Sequence, residues 1–238
     1  MLIDLHAHSS GISRCCRIPY KEVIDTAKKV GLDGIALTNH YQKVYVKDGD
    51  AAAFARRYTE EFRLAKAYGE SIGVKIFFGA EVTLERHNGA HLLLYGIDEE
   101  FIEENPTLYD LTLEQLYRLT KSQSNQIALV QAHPYRKTPH LLDTRFLDGV
   151  EVNCHPLYGK SDFADMVAIA KAHDLFLTCG GDYHADTYRP RCATDLPTYI
   201  TDGKGIGEFL LTAEHISLLI HEPNTPEPFR HRWERHPD

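Results

Sequence analysis

The chain has 238 residues, 43% of them apolar, which is enough for one large core, and α/β barrels of this size form single domains. A formal charge of −8 excludes a nucleic-acid binder that works through a broad basic surface, and no stretch approaches the ~20 consecutive apolar residues of a membrane span. Five irregularly spaced cysteines form no CxxC pair, so a disulfide framework and a zinc finger are both disfavoured; fourteen histidines are the unusual number.

The N-terminus MLIDLHAHSS lacks the basic flank and long apolar region of a signal peptide, so a cytoplasmic enzyme with reduced thiols is expected. Leu2–Leu5 reads as a first strand, followed at once by His6-Ala7-His8. Pro19 suits a first helical turn and leads Tyr20–Val30, whose Val23, Ile24, Ala27 and Val30 share one face before Gly31. Gly34–Leu37 is a second strand, ending in Thr38-Asn39-His40, and Ala51–Ile72 has helical periodicity. Lys75–Phe78 ends in Gly79-Ala80-Glu81, and His91 opens the strand His91–Tyr95. After a helical Leu113–Lys121 come Ile127–Val130 with Ala132-His133-Pro134, and Val150–Val152 with Asn153-Cys154-His155. Asp162–Ala172 is helical; Leu175–Thr178 leads into Gly181-Asp182-Tyr183-His184; Ile206–Leu211 is helical again. The tail Pro223–Asp238, with four prolines, reads as a loosely packed extension of a domain spanning residues 1–222.

About seven strands alternating with helices predict a mainly parallel sheet, closed or distorted into a (β/α) barrel, with an open doubly wound sheet as the other possibility. In both architectures the residues just past the carboxyl ends of the strands line one mouth. One HxH is expected by chance roughly once in a chain this rich in histidine, so that motif alone carries little. The signal is registration, since a histidine or an acid stands at nearly every predicted strand end while the helical stretches carry no histidine. Imidazoles and carboxylates together suit Zn, Mn or Fe rather than Mg alone. A carboxylate such as Glu81 can bridge two cations, and two metals roughly 3.5–4 Å apart can activate water for displacement at phosphorus.

The ordered motifs DLHAHSS, LTNH, GAEV, HLLLYGID, QAHPYR and GGDYH resemble the polymerase and histidinol phosphatase (PHP) family over nearly the whole chain. The resemblance implies a distorted seven-stranded (β/α) barrel, a phosphoesterase activity and two to three divalent metal ions. It implies His6, His8, Glu81 and Asp182 as ligands of one metal, Glu81, His91 and His133 of a second, and His40 and His184 of a third. Family members add a His or Asp to the third site after HxH. This chain has Gly11-Ile12-Ser13-Arg14-Cys15-Cys16 there, so either Cys15 or Cys16 completes the site, or two histidines hold a metal loosely until substrate phosphate joins them. The looser version is the preferred expectation. Asn39 stands where the family commonly has Asp.

Glu81, Asp182 and His155 are the catalytic candidates, His155 as a substrate contact or proton donor. Arg136, Arg14, Arg189 and Arg191 are candidates for gripping a phosphate. The expected substrate is a small phosphorylated metabolite or nucleotide, cleaved as a monoester, with no extended nucleic acid and no membrane as partner. The competing readings are a catalytically silent metal-binding regulatory module, an exonuclease, and an amidohydrolase, whose barrel also opens with HxH but generally needs a mid-barrel lysine or glutamate followed by two histidines.

Overall fold

The computed structural model describes residues 1–135, 141–156, 163–184, 189–223 and 225–235. Twelve strands occur among them: β1 (Leu2–Ala7), β2 (Gly34–Leu37), β3 (His40–Tyr41), β4 (Lys75–Phe78), β5 (Ala80–Leu84), β6 (Ala90–Tyr95), β7 (Ala128–Gln131), β8 (Gly149–Asn153), β9 (Phe176–Gly180), β10 (Ala193–Asp195), β11 (His215–Ile220) and β12 (Phe229–Glu234). The α-helices are α1 (Tyr20–Lys29), α2 (Ala51–Ile72), α3 (Glu99–Glu104), α4 (Leu113–Gln123), α5 (Phe163–His173) and α6 (Gly203–Thr212).

The hydrogen-bond ladders form two six-stranded sheets, ordered β12-β11-β10-β1-β2-β4 and β3-β5-β6-β7-β8-β9, so the fold is mixed α/β. Pairing is parallel along β1-β2-β4, β3-β5 and β7-β8-β9; β6, β10 and β12 run antiparallel to their neighbours. Two of the passages from one sheet to the other are nearly direct: β2 continues into β3 through Thr38-Asn39, and β4 into β5 through Gly79. A side chain on Gly79 would meet the Thr38 methyl at 2.9 Å and the Leu94 carbonyl at 3.2 Å, so the missing Cβ lets the two crossings approach. The Tyr58 hydroxyl of α2 lies 2.8 Å from the Asn39 carbonyl and 2.9 Å from that of Gly79, sharing its proton between them. On the far side, a parallel bridge pairs Ala7 with Tyr183, tying the end of β1 to the chain leaving β9.

Every residue of β2, β5, β6, β7 and β9 is buried, as strands covered on both faces require. The helices close this core with apolar stripes, Val23, Ile24 and Ala27 on α1 and Phe54, Tyr58, Phe62 and Ala65 on α2. Helix ends follow local chemistry. The Asp50 carboxylate accepts from the Ala53 amide at the start of α2, Gly73 ends that helix at φ 77°, and Thr112 with Gln115 forms a capping box on α4.

The expected tail carries β12, which pairs along all of β11 and buries Trp233, so it is better anchored than a loose extension. Its FRHRWE sequence has no apolar run, because an edge strand with one covered residue needs none. Glu81 follows the expected strand Lys75–Phe78 but lies inside a further strand, β5, and His6 lies inside β1 rather than just past it. None of the helices among the described residues is long and apolar enough to cross a membrane.

Candidate metal centre

Six histidines converge on Glu81 and Asp182. Glu81 is fully buried; its Oε1 lies 2.8 Å from His91 Nδ1, 3.0 Å from His133 Nε2 and 3.4 Å from His6 Nε2. Its other oxygen, Oε2, lies 2.5 Å from His40 Nδ1 and 3.5 Å from His8 Nε2. Asp182 Oδ1 stands 3.0 Å from His8 Nε2, 3.4 Å from His6 Nε2 and 3.3 Å from His184 Nδ1. All eight sequence-predicted ligands therefore meet in one cluster.

Register explains the convergence. His40 pairs with Glu81 across β3 and β5, and Thr83 with His91 across β5 and β6; because β6 is antiparallel, its first residues return to the end where β5 finishes. Two of the eight have left-handed backbones, His133 at φ 29° and Asp182 at φ 46°, a conformation costly for side-chain-bearing residues and concentrated at functional sites.

The donor set suits divalent cations. Buried His6 Nε2, His40 Nδ1 and Glu81 Oε2 have no hydrogen-bond partner, although carboxylate and imidazole atoms crowd within a few ångströms. Close apposition without hydrogen-bond geometry, at a cost of about 1–3 kcal/mol per orphaned group, is what a shared cation would relieve. Potential ligand atoms of His6, His8 and Glu81, of His40, Glu81 and His91, and of His8, His40 and His184 lie within 4.8 Å of one another in each trio. His40 thus stands between the second and third sets implied by the resemblance, not in the third alone.

Outer partners orient the rings. Glu151 Oε1 lies 2.7 Å from His6 Nδ1 and accepts the proton of that nitrogen, so Nε2 is the one that faces Glu81 and Asp182 and would turn its lone pair to a metal; Glu151 Oε2 accepts from the His133 amide at 3.1 Å and from Asn153 at 3.0 Å. Asp4 accepts from the amides of His6 and Gly181 at 3.0 and 2.9 Å, fixing both ends of the His6 to Asp182 span. Asn39, in place of the expected Asp, accepts from the Ser9 amide at 2.7 Å and from Ser13 at 2.9 Å, while Ser13 Oγ lies 3.2 Å from His8 Nδ1. Asn39 is therefore in the hydrogen-bond frame behind the ligands. Sequence reasoning missed Glu151 and Asp4; the available signal was an acid inside an otherwise apolar strand run.

Charge balance is tight. Burial pushes His40 down, but the Glu81 carboxylate and Cys15 more than reverse this and raise it to about 10. Burial likewise opposes protonation of His6, yet Glu151, Asp182 and Glu81 lift it well above the usual value. His8 is pushed well below it by burial and by the neighbouring His184 and His40. Burial would raise Glu81, but His40, His91 and His6 hold it well below the usual carboxylate range.

The phosphate-gripping candidates separate. Arg189 is 2% exposed, paired with Asp4 at 2.5 Å and stacked over Tyr183 at 4.6 Å, so it braces the cluster from inside and does not face a substrate. The Arg191 guanidinium lies beside Gly31, where the chain enters β2 at the end remote from His40, which also corrects the expectation for that residue. Arg14 is exposed over the Tyr45 ring, 5.2 Å from its centroid, and the Tyr45 ring lies 6.4 Å from that of His40, so Arg14 remains at the rim. Arg136 lies outside the described residues. The His155 ring is 6.0 Å from that of His184, placing it at the cluster's edge. The Cys15 sulfur is 3.2 Å from His184 Nε2, whereas Cys16 turns inward to the carbonyls of His8 and Ile18 at 3.4 and 3.6 Å. An open cleft lined by Phe62, Phe78, Asp98 and Lys204 involves none of these ligands.

Among solved structures, the chain is similar to a two-domain protein from Bacteroides vulgatus ATCC 8482 containing a predicted PHP-like metal-dependent phosphoesterase, at 20% identity and TM-score 0.66, covering 93% of this chain and 65% of that one. It is also similar to PsfC from Pseudomonas syringae PB-5123, at 17% identity and TM-score 0.59, covering 98% of this chain and 91% of that one. A third likeness, at 20% identity and TM-score 0.51, is to an amidohydrolase from Chromobacterium violaceum with bound sulfate and no metal, covering 83% of this chain and 93% of that one. At these identities the likeness is one of fold, and the chain spans 65% of the length of the two-domain protein. No curated protein matches the chain. A family profile described as the PHP domain matches residues 4–180, most of the chain, which therefore belongs to the PHP domain family.

Proposed function

We propose that the chain hydrolyses phosphate monoesters of a small metabolite or nucleotide. The observation that carries this reading is the placement of Glu81, one oxygen toward His91 and His133 and the other toward His40, at the centre of six histidines. His6, His8, His40, Glu81, His91, His133, Asp182 and His184 would hold two to three divalent ions of the Zn, Mn or Fe type. Such ions, when bound, supply Lewis-acid stabilisation of phosphoryl oxygens and lower the pKa of water from about 15.7 to about 7. The protein's own part is positional: Glu81 and Asp182 neutralise charge, Glu151 and Asp4 hold His6 in one tautomer and place, and burial of the cluster keeps bulk water away. His155, its ring 6.0 Å from that of His184, would give a proton to the leaving oxygen, and Arg14 at the rim would meet the phosphate. In this reading the two sheets, joined at Thr38-Asn39, Gly79 and the Ala7–Tyr183 bridge, act as a distorted (β/α) barrel formed by residues 1–222, with 223–238 an extension at its edge.

The amidohydrolase alternative has the fold likeness in its favour. Against it, His40 and Glu81 occupy early strand positions, and the chain closes on the pair Asp182 and His184 where an amidohydrolase generally has a lone late aspartate. Turnover of p-nitrophenyl phosphate, bis-p-nitrophenyl phosphate and an amide substrate, with metal analysis, tests the proposal. We expect monoester turnover that strong chelation abolishes, and a loss of several orders of magnitude in kcat in Glu81→Gln together with lowered occupancy of more than one metal. Full turnover by metal-free protein, or normal metal content and rate in Glu81→Gln, would reject it.

A further inference from the structure

The loop between β1 and α1 presents two adjacent cysteines in opposite directions. A turn closed by the Cys16 amide on the Ser13 carbonyl at 3.0 Å sends the Cys16 thiol inward. Cys15 is thereby turned to the histidines, its sulfur 3.2 Å from His184 Nε2 and 4.0 Å from the Tyr45 hydroxyl. His184 Nδ1 lies 2.7 Å from the Asp182 carbonyl, which accepts its proton and leaves Nε2 with a lone pair on the side of the sulfur. The His40 side chain is a second hydrogen-bond partner of the Cys15 thiol, and the His40 and His184 ring centroids lie 5.9 Å apart. Two imidazoles and a thiol converging at the open edge of the cluster form a mixed nitrogen and sulfur donor set.

We propose that Cys15 is a metal ligand, its thiolate completing with His40 and His184 a third site that selects zinc. The proposal rests on the metal-dependent reading above and deepens it. Ligation releases the thiol proton to solvent as the sulfur–metal bond forms, with no change in oxidation state. A thiolate is a soft donor, matched to zinc and poorly matched to manganese or magnesium. It also adds a negative charge that two neutral imidazoles lack, so the site holds its metal without help from a substrate phosphate. This reverses the looser, phosphate-dependent site expected from the sequence, because there the direction in which Cys15 points was not readable.

Cobalt(II) serves as the probe, since a cobalt–thiolate bond has a near-ultraviolet charge-transfer band that cobalt bound by nitrogen and oxygen lacks. Metal-stripped wild type, Cys15→Ser and Cys16→Ser are titrated with cobalt, and zinc is counted per chain in parallel, without phosphate. The expected result is a band in wild type and Cys16→Ser, its absence in Cys15→Ser, and the loss of one zinc in Cys15→Ser with the others retained. The buried Cys154, Cys179 and Cys192 are a rival source of sulfur, with Cys154 and Cys179 sulfurs 3.5 Å apart; a band from them would survive in Cys15→Ser and overturn the proposal. Labelling gives a second readout, because Cys15 is the exposed thiol and the other four are buried. Zinc is expected to protect one thiol of the native chain from a thiol reagent, and magnesium to leave it reactive. Metal content and turnover without the band or the protection would overturn the Cys15 assignment alone, whereas a chain that binds no cobalt or zinc would overturn the metal-dependent reading with it.

Discussion

Glu151 shows what a single side chain contributes behind a ligand. It sits in the middle of β8, between Val150 and Val152, fully buried, and its two oxygens serve His6, the His133 amide and Asn153. Glu151→Gln keeps the shape but offers an amide nitrogen to one of these donors and removes the charge facing His6. We expect metal affinity to fall about 10–100-fold, as for other outer partners of ligating histidines, with the chain still folded. Calorimetric titration of the metal into wild type and variant measures this; equal affinity would make Glu151 a mere core acid. The candidate ligands were legible in the sequence because each stands at or near a strand end, where residue type and position agree. Glu151 and Asp4 were not, since an acid inside an apolar run gives no sign of the face it points to, and Arg189 was misplaced because its partner Asp4 is 185 residues away in the chain.

At the level of elements, α1, α2, α4, α5 and α6 and the strands β1, β2, β4, β6, β7, β8 and β9 were readable from periodicity to within a few residues, whereas α3, β5 and β11 went unread, β3 and β10 are too short to show a period and β12 has no apolar run. Nor could spacing reveal that β2 and β4 each hand their chain to a second sheet, since that depends on what approaches Thr38 and Gly79 from elsewhere. The same kind of close approach holds β1 against β9. A Cβ on Gly180 would lie 2.4 Å from the His6 Cβ, 2.7 Å from Glu151 Oε1 and 3.0 Å from the His6 amide nitrogen. Gly180→Ala must therefore push β1 away from β9 at the point where His6 and Glu151 meet. We expect a stability loss of about 1–3 kcal/mol, typical of overpacking, and a disproportionate loss of bound metal. Denaturant unfolding and metal analysis of the folded variant test it; undiminished metal content would mean that the strands give way elsewhere.

For the whole molecule, protons and metal ions compete for one buried cluster, and the sign of that competition follows from the charge pattern. With burial opposing and carboxylates prevailing, His40 is raised to about 10 and His6 well above its usual 6.5, so both carry protons in the metal-free protein at neutral pH. Because their folded values are raised, their contribution to the stability of that form is complete below 6.5 and is lost as pH climbs through the folded values. Glu81 is depressed, so its contribution is present above 4.5 and lost as pH falls through its folded value. Ligation needs the imidazole lone pairs, so metal uptake must expel the protons on His6 and His40, and affinity should rise up to tenfold per pH unit for each proton expelled. Two measurements follow. Calorimetry of zinc binding in buffers of different ionisation enthalpy should report net proton release at neutral pH. The difference in Tm between metal-loaded and metal-free protein should widen from about pH 6 to about pH 9, as the metal-free form loses its proton-dependent stability while the loaded form gains affinity. A difference that stays constant or narrows over that range would mean that His6 and His40 do not yield their protons to the metal, and would remove both from the ligand set.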